Sequence, residues 1–258
     1  MNLRSFHIGA SCSFQDKNFW DIFCYNTCFI GNWMTRKVRP LKMPTDGTFS
    51  QINVILSPGE DRCYTDVFKI LQVEIHWGQS DVTNYLRLKS ENDRLKLYLD
   101  LFRKGLIRAA QFKDIDLDVL IGLVEEFEAR GCRNEWLFKS KTIRERNIKI
   151  DFVRSFTSYA FELKLHLYDL KKNLIAEKTV FKIYPDDIFV QGLFHRIVQQ
   201  GDNLFIDDTL DRHVFSFCLE DLQQGFIQET LLLEYKKQYI YDPDCEKYQR
   251  IEWRYKQV

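Results

Sequence analysis

Phe161-Glu162-Leu163-Lys164-Leu165-His166-Leu167-Tyr168 alternates apolar and polar side chains without a break. The same rule governs Ile148, Ile150 and Phe152 before it, and Thr179, Phe181 and Ile183 after it. Leu170-Lys171-Lys172-Asn173 interrupts the pattern between the last two runs. A period of two sends successive side chains to opposite faces of a sheet. Residues 147–184 therefore read as an antiparallel meander with one buried and one wet face. Phe161 to Leu167 is expected to pair with the strand through Phe181, with Glu162, Lys164 and His166 on the wet side. Sheets of this kind serve as scaffolds and binding surfaces, whereas nucleotide enzymes usually show parallel strands followed by glycine-rich turns.

Toward the N-terminus, Leu95, Leu99, Phe102 and Leu106 fall on one stripe behind Ser90, with Asp93 three residues on. Leu117, Leu120, Ile121, Val124 and Phe127 fall on another behind Asp116, with Gly131 as the stop. The short connection predicts an antiparallel helix pair. Leu71, Val73, Ile75 and Trp77 alternate with Gln72, Glu74 and His76, giving a partner for a strand over residues 48–56 across the turn Ser57-Pro58-Gly59-Glu60-Asp61. Residues 3–8 are strand-like. A short helix is expected over 15–26, capped from Ser13, then a strand near 28–30. The stretch 34–43 holds Arg36, Lys37, Arg39 and Lys42 beside Pro40 and reads as a basic surface loop.

Toward the C-terminus, Gln200-Gly201-Asp202-Asn203 predicts a turn joining strands around Ile197 and Phe205, and residues 214–219 a further strand. Residues 223–241 suit a helix, with a strand as the alternative, and Ile251, Trp253 and Tyr255 alternate once more. The fold class that results is α+β, predominantly antiparallel sheet with a meander in the second half and an antiparallel helix pair in the first. The chain reads as a single domain over 1–258. The alternative division is into lobes 1–146 and 147–258, parted after the basic run Lys139, Lys141, Arg144 and Arg146.

A hydrophobic content of 45% with 15% aromatics excludes a disordered chain. The 37 basic and 37 acidic side chains cancel, which argues against a general nucleic-acid binder. Seven cysteines are odd in number and scattered, unlike a secreted disulfide framework. No apolar run reaches signal-peptide or membrane-spanning length. The expectation is a cytoplasmic protein with reduced thiols and no membrane partner. The charges are unevenly spread: between Pro185 and Asp221 eight acids stand against two bases, Arg196 and Arg212. Separated fields steer charged partners, and they can equally pair with each other inside one fold.

No glycine-rich phosphate loop, serine elbow or paired-histidine zinc helix is present. Cys24 and Cys28 share a helical face and could hold zinc with His7 or Cys12. The second pair of ligands is missing, and core packing is the preferred reading. Cys132, flanked by the cations Arg130 and Arg133 at a helix C-terminal end, is a nucleophile candidate opposed by the helix dipole. Asp207, Asp208, Asp211 and His213 are the densest set of oxygen and nitrogen ligands. They suit a divalent cation or a solvated turn ahead of Val214, with the turn favoured.

The function expected from these features is a non-catalytic cytosolic protein-binding module. Its concrete version is an immunity-type inhibitor that neutralises a toxin by charge-complementary binding and uses no cofactor or metal. The partner surface would combine Asp186, Asp187, Asp207, Asp208 and Asp211 with Tyr239, Tyr241 and Trp253, aromatic anchors beside exposed carboxylates. The alternative is a metal-dependent hydrolase or nuclease using Asp207, Asp208, Asp211 and His213. A third reading assigns the basic stretches 36–42 and 139–149 to nucleic acid.

Overall fold

The computed structural model describes residues 1–185 and 192–232. They form two compact units that part in sequence between Asn134 and Glu135. The first contains β1 (Ser5–Ala10), α1 (Lys17–Leu41), β2 (Gln51–Ser57), β3 (Arg62–Thr65), β4 (Ile70–His76), α2 (Gln79–Arg87), α3 (Glu91–Phe112) and α4 (Leu117–Ala129). Its sheet has the order β1-β2-β4-β3. β2 runs parallel to both β1 and β4, with Val54 opposite Ile8 and Val73, and only β3 is antiparallel to its neighbour β4. The strands expected at 48–56 and 71–77 are thus neighbours, but the turn at 57–61 does not join them. It leads into β3, whose four mostly polar residues give too short an alternation to stand out. Alternation reveals which face is buried, not which way a strand runs.

One helix replaces the short helix, the strand near 28–30 and the basic loop expected over 15–43. The apolar stripe through Phe19, Phe23, Ile30, Met34 and Val38 continues at helical spacing past the basic residues, and all five are buried. The cations sit on the flanks: Lys37 pairs with Glu126 at 2.6 Å and lies 4.7 Å from the Trp33 ring. Pro40 falls in the last turn, where Lys42 closes the helix in a left-handed conformation. The N-cap is Asp16 rather than Ser13, its carboxylate accepting the amides of Asn18 and Phe19 at 2.9 and 3.0 Å.

α1 lies along the outer edge of β1 and satisfies its backbone. Thr35 Oγ1 accepts the Phe6 amide at 3.0 Å, Cys24 Sγ accepts the Ala10 amide at 3.3 Å, and the Thr27 hydroxyl donates to the Ile8 carbonyl at 2.8 Å. This approach requires a glycine at Gly31, where a Cβ would stand 2.7 Å from the Phe6 carbonyl oxygen. Gly105 does the same for α3, since a Cβ there would overlap Val54 of β2. Phe19 and Phe23 of α1, Trp77 and Tyr85 form an aromatic cluster, and the Tyr85 and Tyr98 hydroxyls meet at 2.7 Å beside Asn26. Ser90 and Asp116 cap α3 and α4 as expected. Leu99, Phe102, Leu106, Leu120, Val124 and Phe127 are buried, and Arg103 of α3 pairs with Glu128 of α4.

The second unit holds two antiparallel-rich sheets. β5 (Asn134–Ile143), a 3-10 turn at Arg144–Arg146, β6 (Ile148–Phe156), β7 (Phe161–Asp169) and β8 (Leu174–Ile183) give the order β5-β6-β7-β8. β9 (Arg196–Gln200), β10 (Asn203–Asp207), β11 (His213–Cys218), α5 (Leu219–Gln223) and β12 (Glu229–Leu231) give the order β12-β11-β10-β9. The meander is present in the expected register, with Leu163 opposite Phe181. Phe161, Leu163, Leu165 and Leu167 are fully buried. Glu162, Lys164 and His166 are only half-buried, because a charge ladder covers their face: Lys164 reaches Glu135 at 3.0 Å and Glu162 reaches Lys182 at 3.1 Å. The two sheets are joined by aromatic contacts, Phe152 to Phe217 at 5.8 Å and Phe181 to Phe194 and Phe215 at 5.2 and 6.2 Å.

The basic run 139–149 belongs to β5, the 3-10 turn and β6 rather than to a linker, so the units part at the first residue of β5 and not after residue 146. Arg146 pairs with Asp202 at 2.6 Å, one instance of the basic run meeting the acidic segment internally. The helix expected over 223–241 does not form in its described part: α5 ends at Gln223, and the strand given as the alternative appears as β12. Gly225, at φ +85°, stands between the two; residues 233–258 lie outside the described part. Gly31→Ala should force α1 away from β1 and destabilise the protein by about 1–3 kcal/mol in urea unfolding. An unchanged midpoint would show that the edge is not held by close contact.

Candidate binding site at the hairpin tips

Three hairpins of this chain close with the same five-residue device. Asp66-Val67-Phe68-Lys69-Ile70 joins β3 to β4, Asp169-Leu170-Lys171-Lys172-Asn173 joins β7 to β8, and Asp208-Thr209-Leu210-Asp211-Arg212 joins β10 to β11. In each, the Asp amide donates to the carbonyl of the fifth residue (2.9, 3.0 and 3.0 Å). The amide of the fourth donates back to the Asp carbonyl, at 3.1 Å in all three. The fourth residue is left-handed each time, with φ of 62° at Lys69, 71° at Lys172 and 59° at Asp211. This is a three-residue hairpin loop with its bulge, built without the usual glycine. An aspartate supplies the difference by accepting amides of its own loop. Asp66 Oδ1 takes those of Phe68 and Ile70, and Asp208 Oδ1 those of Leu210 and Arg212, all at 2.9–3.0 Å; Asp169 Oδ1 takes that of Asn173 at 2.8 Å.

The acidic group singled out from the sequence sits around the third of these loops, and its geometry differs from expectation. Asp207 and Asp208 are 0% and 1% exposed, where exposed carboxylates were expected. Asp207 is held between His213 Nδ1 at 2.6 Å and Arg196 Nε at 3.0 Å, and the His213 ring stacks on Phe205 at 4.1 Å. Asp208 meets Arg212 Nε at 2.9 Å and Nη2 at 2.7 Å. These partners come from the hairpin itself and, for Arg196, from the neighbouring strand β9, not from 139–149. A register shift at Ile206 and Asp207 turns both carboxylates inward, and desolvated charges require close counterions. Asp211 alone stays open, its side chain 63% exposed and 3.2 Å from Arg196. Asp186, Asp187, Tyr239, Tyr241 and Trp253 lie outside the described residues.

The set expected for a divalent cation does not converge. Asp207 faces Arg196 and His213, Asp208 faces Arg212 and two amides, and Asp211 points to Arg196. Among the described residues no three His, Cys, Asp or Glu side chains are grouped as metal ligands. Cys24 is a structural thiol: burial pushes it up to about 11, opposed by its bond to the Ala10 backbone. Burial and then Glu128 push Cys132 up to about 11 as well, the reverse of an activated nucleophile. The six described cysteines are unbridged.

What the loop displays was not read from the sequence. Leu210 is 68% exposed at a tip whose backbone is bonded on both sides, and Val67 and Phe68 are 90% and 80% exposed on the first hairpin. The available signal was an aspartate four or five residues ahead of a strand start, repeated three times. The acids were instead counted as surface charge. No family model, curated protein or solved structure matches the chain.

Burial raises the Asp208 carboxyl, but the bonds from Arg212 and the Arg212 and Leu210 amides outweigh it and hold the group below its ordinary value. A depressed carboxyl contributes stability that is present above the unfolded-state value and lost as pH falls through the folded one. The hairpin should therefore loosen as pH drops from about 4 downward. Asp208→Ala should cost about 1–3 kcal/mol at neutral pH and flatten that acid dependence. Equal acid sensitivity in the variant would assign it to other groups.

Proposed function

We propose that this protein is a non-catalytic protein-binding module, in its most concrete form an immunity-type inhibitor, and that its second unit meets its partner through the 209–211 tip. One observation carries the reading: Leu210 is mostly exposed, yet the loop that presents it is already fixed by Asp208. An apolar anchor on an ordered loop loses little conformational freedom on binding, which favours affinity at small contact area. Asp211, Arg196 and Arg212 surround it with charges of both signs. Asp207 and Asp208 thus act as supports of the tip rather than as the contact surface, and the rim is mixed rather than acidic. Asp186, Asp187, Tyr239, Tyr241 and Trp253 stay in the proposed surface on sequence grounds.

The test needs a candidate toxin, for which the product of the neighbouring gene is the first choice. Against that purified protein, Leu210→Glu should weaken binding at least tenfold, about 1.4 kcal/mol. Asp211→Lys should change mainly the association rate, more strongly at low salt. Thermal unfolding of both variants should match the parent, since both side chains are exposed. Binding unchanged by Leu210→Glu would remove this tip from the interface.

A further inference from the structure

The two edges of the first unit's sheet are treated differently. That of β1 is sealed by α1, whereas no described residue bonds the outer edge of β3. The alternation of ladder bonds fixes which of its backbone groups are open. Because the Asp66 amide bonds the Ile70 carbonyl, Tyr64 and Arg62, opposite Gln72 and Glu74, exchange bonds with β4. Cys63 and Thr65 therefore turn their N–H and C=O outward, and among the described residues no group bonds them there. β3 has no proline and no bulge, and its two exposed side chains are Arg62 and Tyr64. An edge left open in this way is a template for another strand.

We propose that this edge pairs with β3 of a second copy of the chain, antiparallel about a two-fold axis through Tyr64. One register satisfies every outward group: Cys63 of each copy exchanges both backbone bonds with Thr65 of the other. That register is self-complementary in its side chains. Tyr64 faces Tyr64 of the second copy on the axis, and Arg62 faces Asp66 of the second copy, a cation opposite a carboxylate on each side. Each four-stranded sheet would continue into the other. The exposed Val67–Phe68 tip at the end of each β3 would fall alongside the other copy's 57–61 turn and bury apolar surface that the monomer leaves in water. A second copy is favoured over an unrelated peptide because both members of the charge pair, and the aromatic on the axis, come from this strand itself. The proposal concerns the first unit and is independent of the 209–211 tip.

The experiment uses the full chain. Sedimentation from about 10 µM to about 1 mM should show a reversible monomer–dimer equilibrium. Thr65→Pro removes an outward N–H that the monomer does not use, so it should keep the fold and weaken dimerisation at least tenfold. Tyr64→Cys places two sulfurs on the axis at a non-bonded pair, where Cα atoms lie about 4.5 Å apart, within disulfide range. Mild oxidation should link it into a thiol-reversible dimer at least ten times faster than the parent or Arg62→Cys, whose opposite residue is Asp66. A chain that stays monomeric throughout would overturn the proposal. So would a dimer indifferent to Thr65→Pro, or cross-linking of Tyr64→Cys no faster than of Arg62→Cys.

Discussion

An aspartate carboxylate bonded to the amides of its own loop sets the corners on which this structure turns. Hairpin register follows from the corner, and a slip of one residue would exchange the buried and solvent faces of every strand that follows. At Asp169 the corner sets the register that puts Leu163 and Leu165 inside and opposite β8. At Asp208 it brings β11 back on β10 so that Phe215 and Phe217 reach the aromatic contacts between the sheets. At Asp66 it aligns β4 with β3, and β4 in turn holds the parallel pairing with β2. Glycine normally takes the left-handed position of such loops; here Lys69, Lys172 and Asp211 take it, and the carboxylate bonds offset the strain.

The same economy governs the polar groups that the sheets leave over. β1 would be an open edge, and small or hydroxyl side chains of α1 (Cys24, Thr27, Gly31 and Thr35) let a helix run beside it and take its bonds. The outer face of β7 would be an open row of charges, and Glu135, Lys182 and Glu177 close it into a ladder. Such ion pairs at partly exposed sites contribute little each. Their effect is on specificity, since they match one register of β7 and β8 and mismatch its neighbours. Charge that looked like a partner surface in the sequence is in large part used within the fold.

Legibility followed the strength of local periodicity. The meander was readable because three successive runs keep one parity over strands of nine or ten residues. α3 and α4 were readable because caps and stripes agree. α1 was misread because Arg36, Lys37, Arg39 and Pro40 suggest a loop when taken by composition. The stripe through Trp33, Met34 and Val38, which argued for a helix, had to be followed past them. The parallel pairing of β2 and β4 was not readable, since strand direction depends on where β3 inserts and no local pattern marks that. The acidic group was legible as a cluster, and two of its members, Asp207 and Asp208, were wrongly expected at the surface. Burial of Asp207 and Asp208 depends on His213 and Arg212 arriving through the hairpin and Arg196 through the pairing of β9 with β10, and a sequence shows proximity along the chain only.

The central claim is that the hairpin tips are exposed and yet ordered, held by Asp66 and Asp208 before any partner arrives. Backbone 15N relaxation measures this directly. Order parameters at Val67, Phe68, Leu210 and Asp211 should match those of the flanking strands, about 0.85. Values below about 0.6 at these residues would mean that the loops fluctuate freely and that the aspartate bonds do not hold them, contradicting the account.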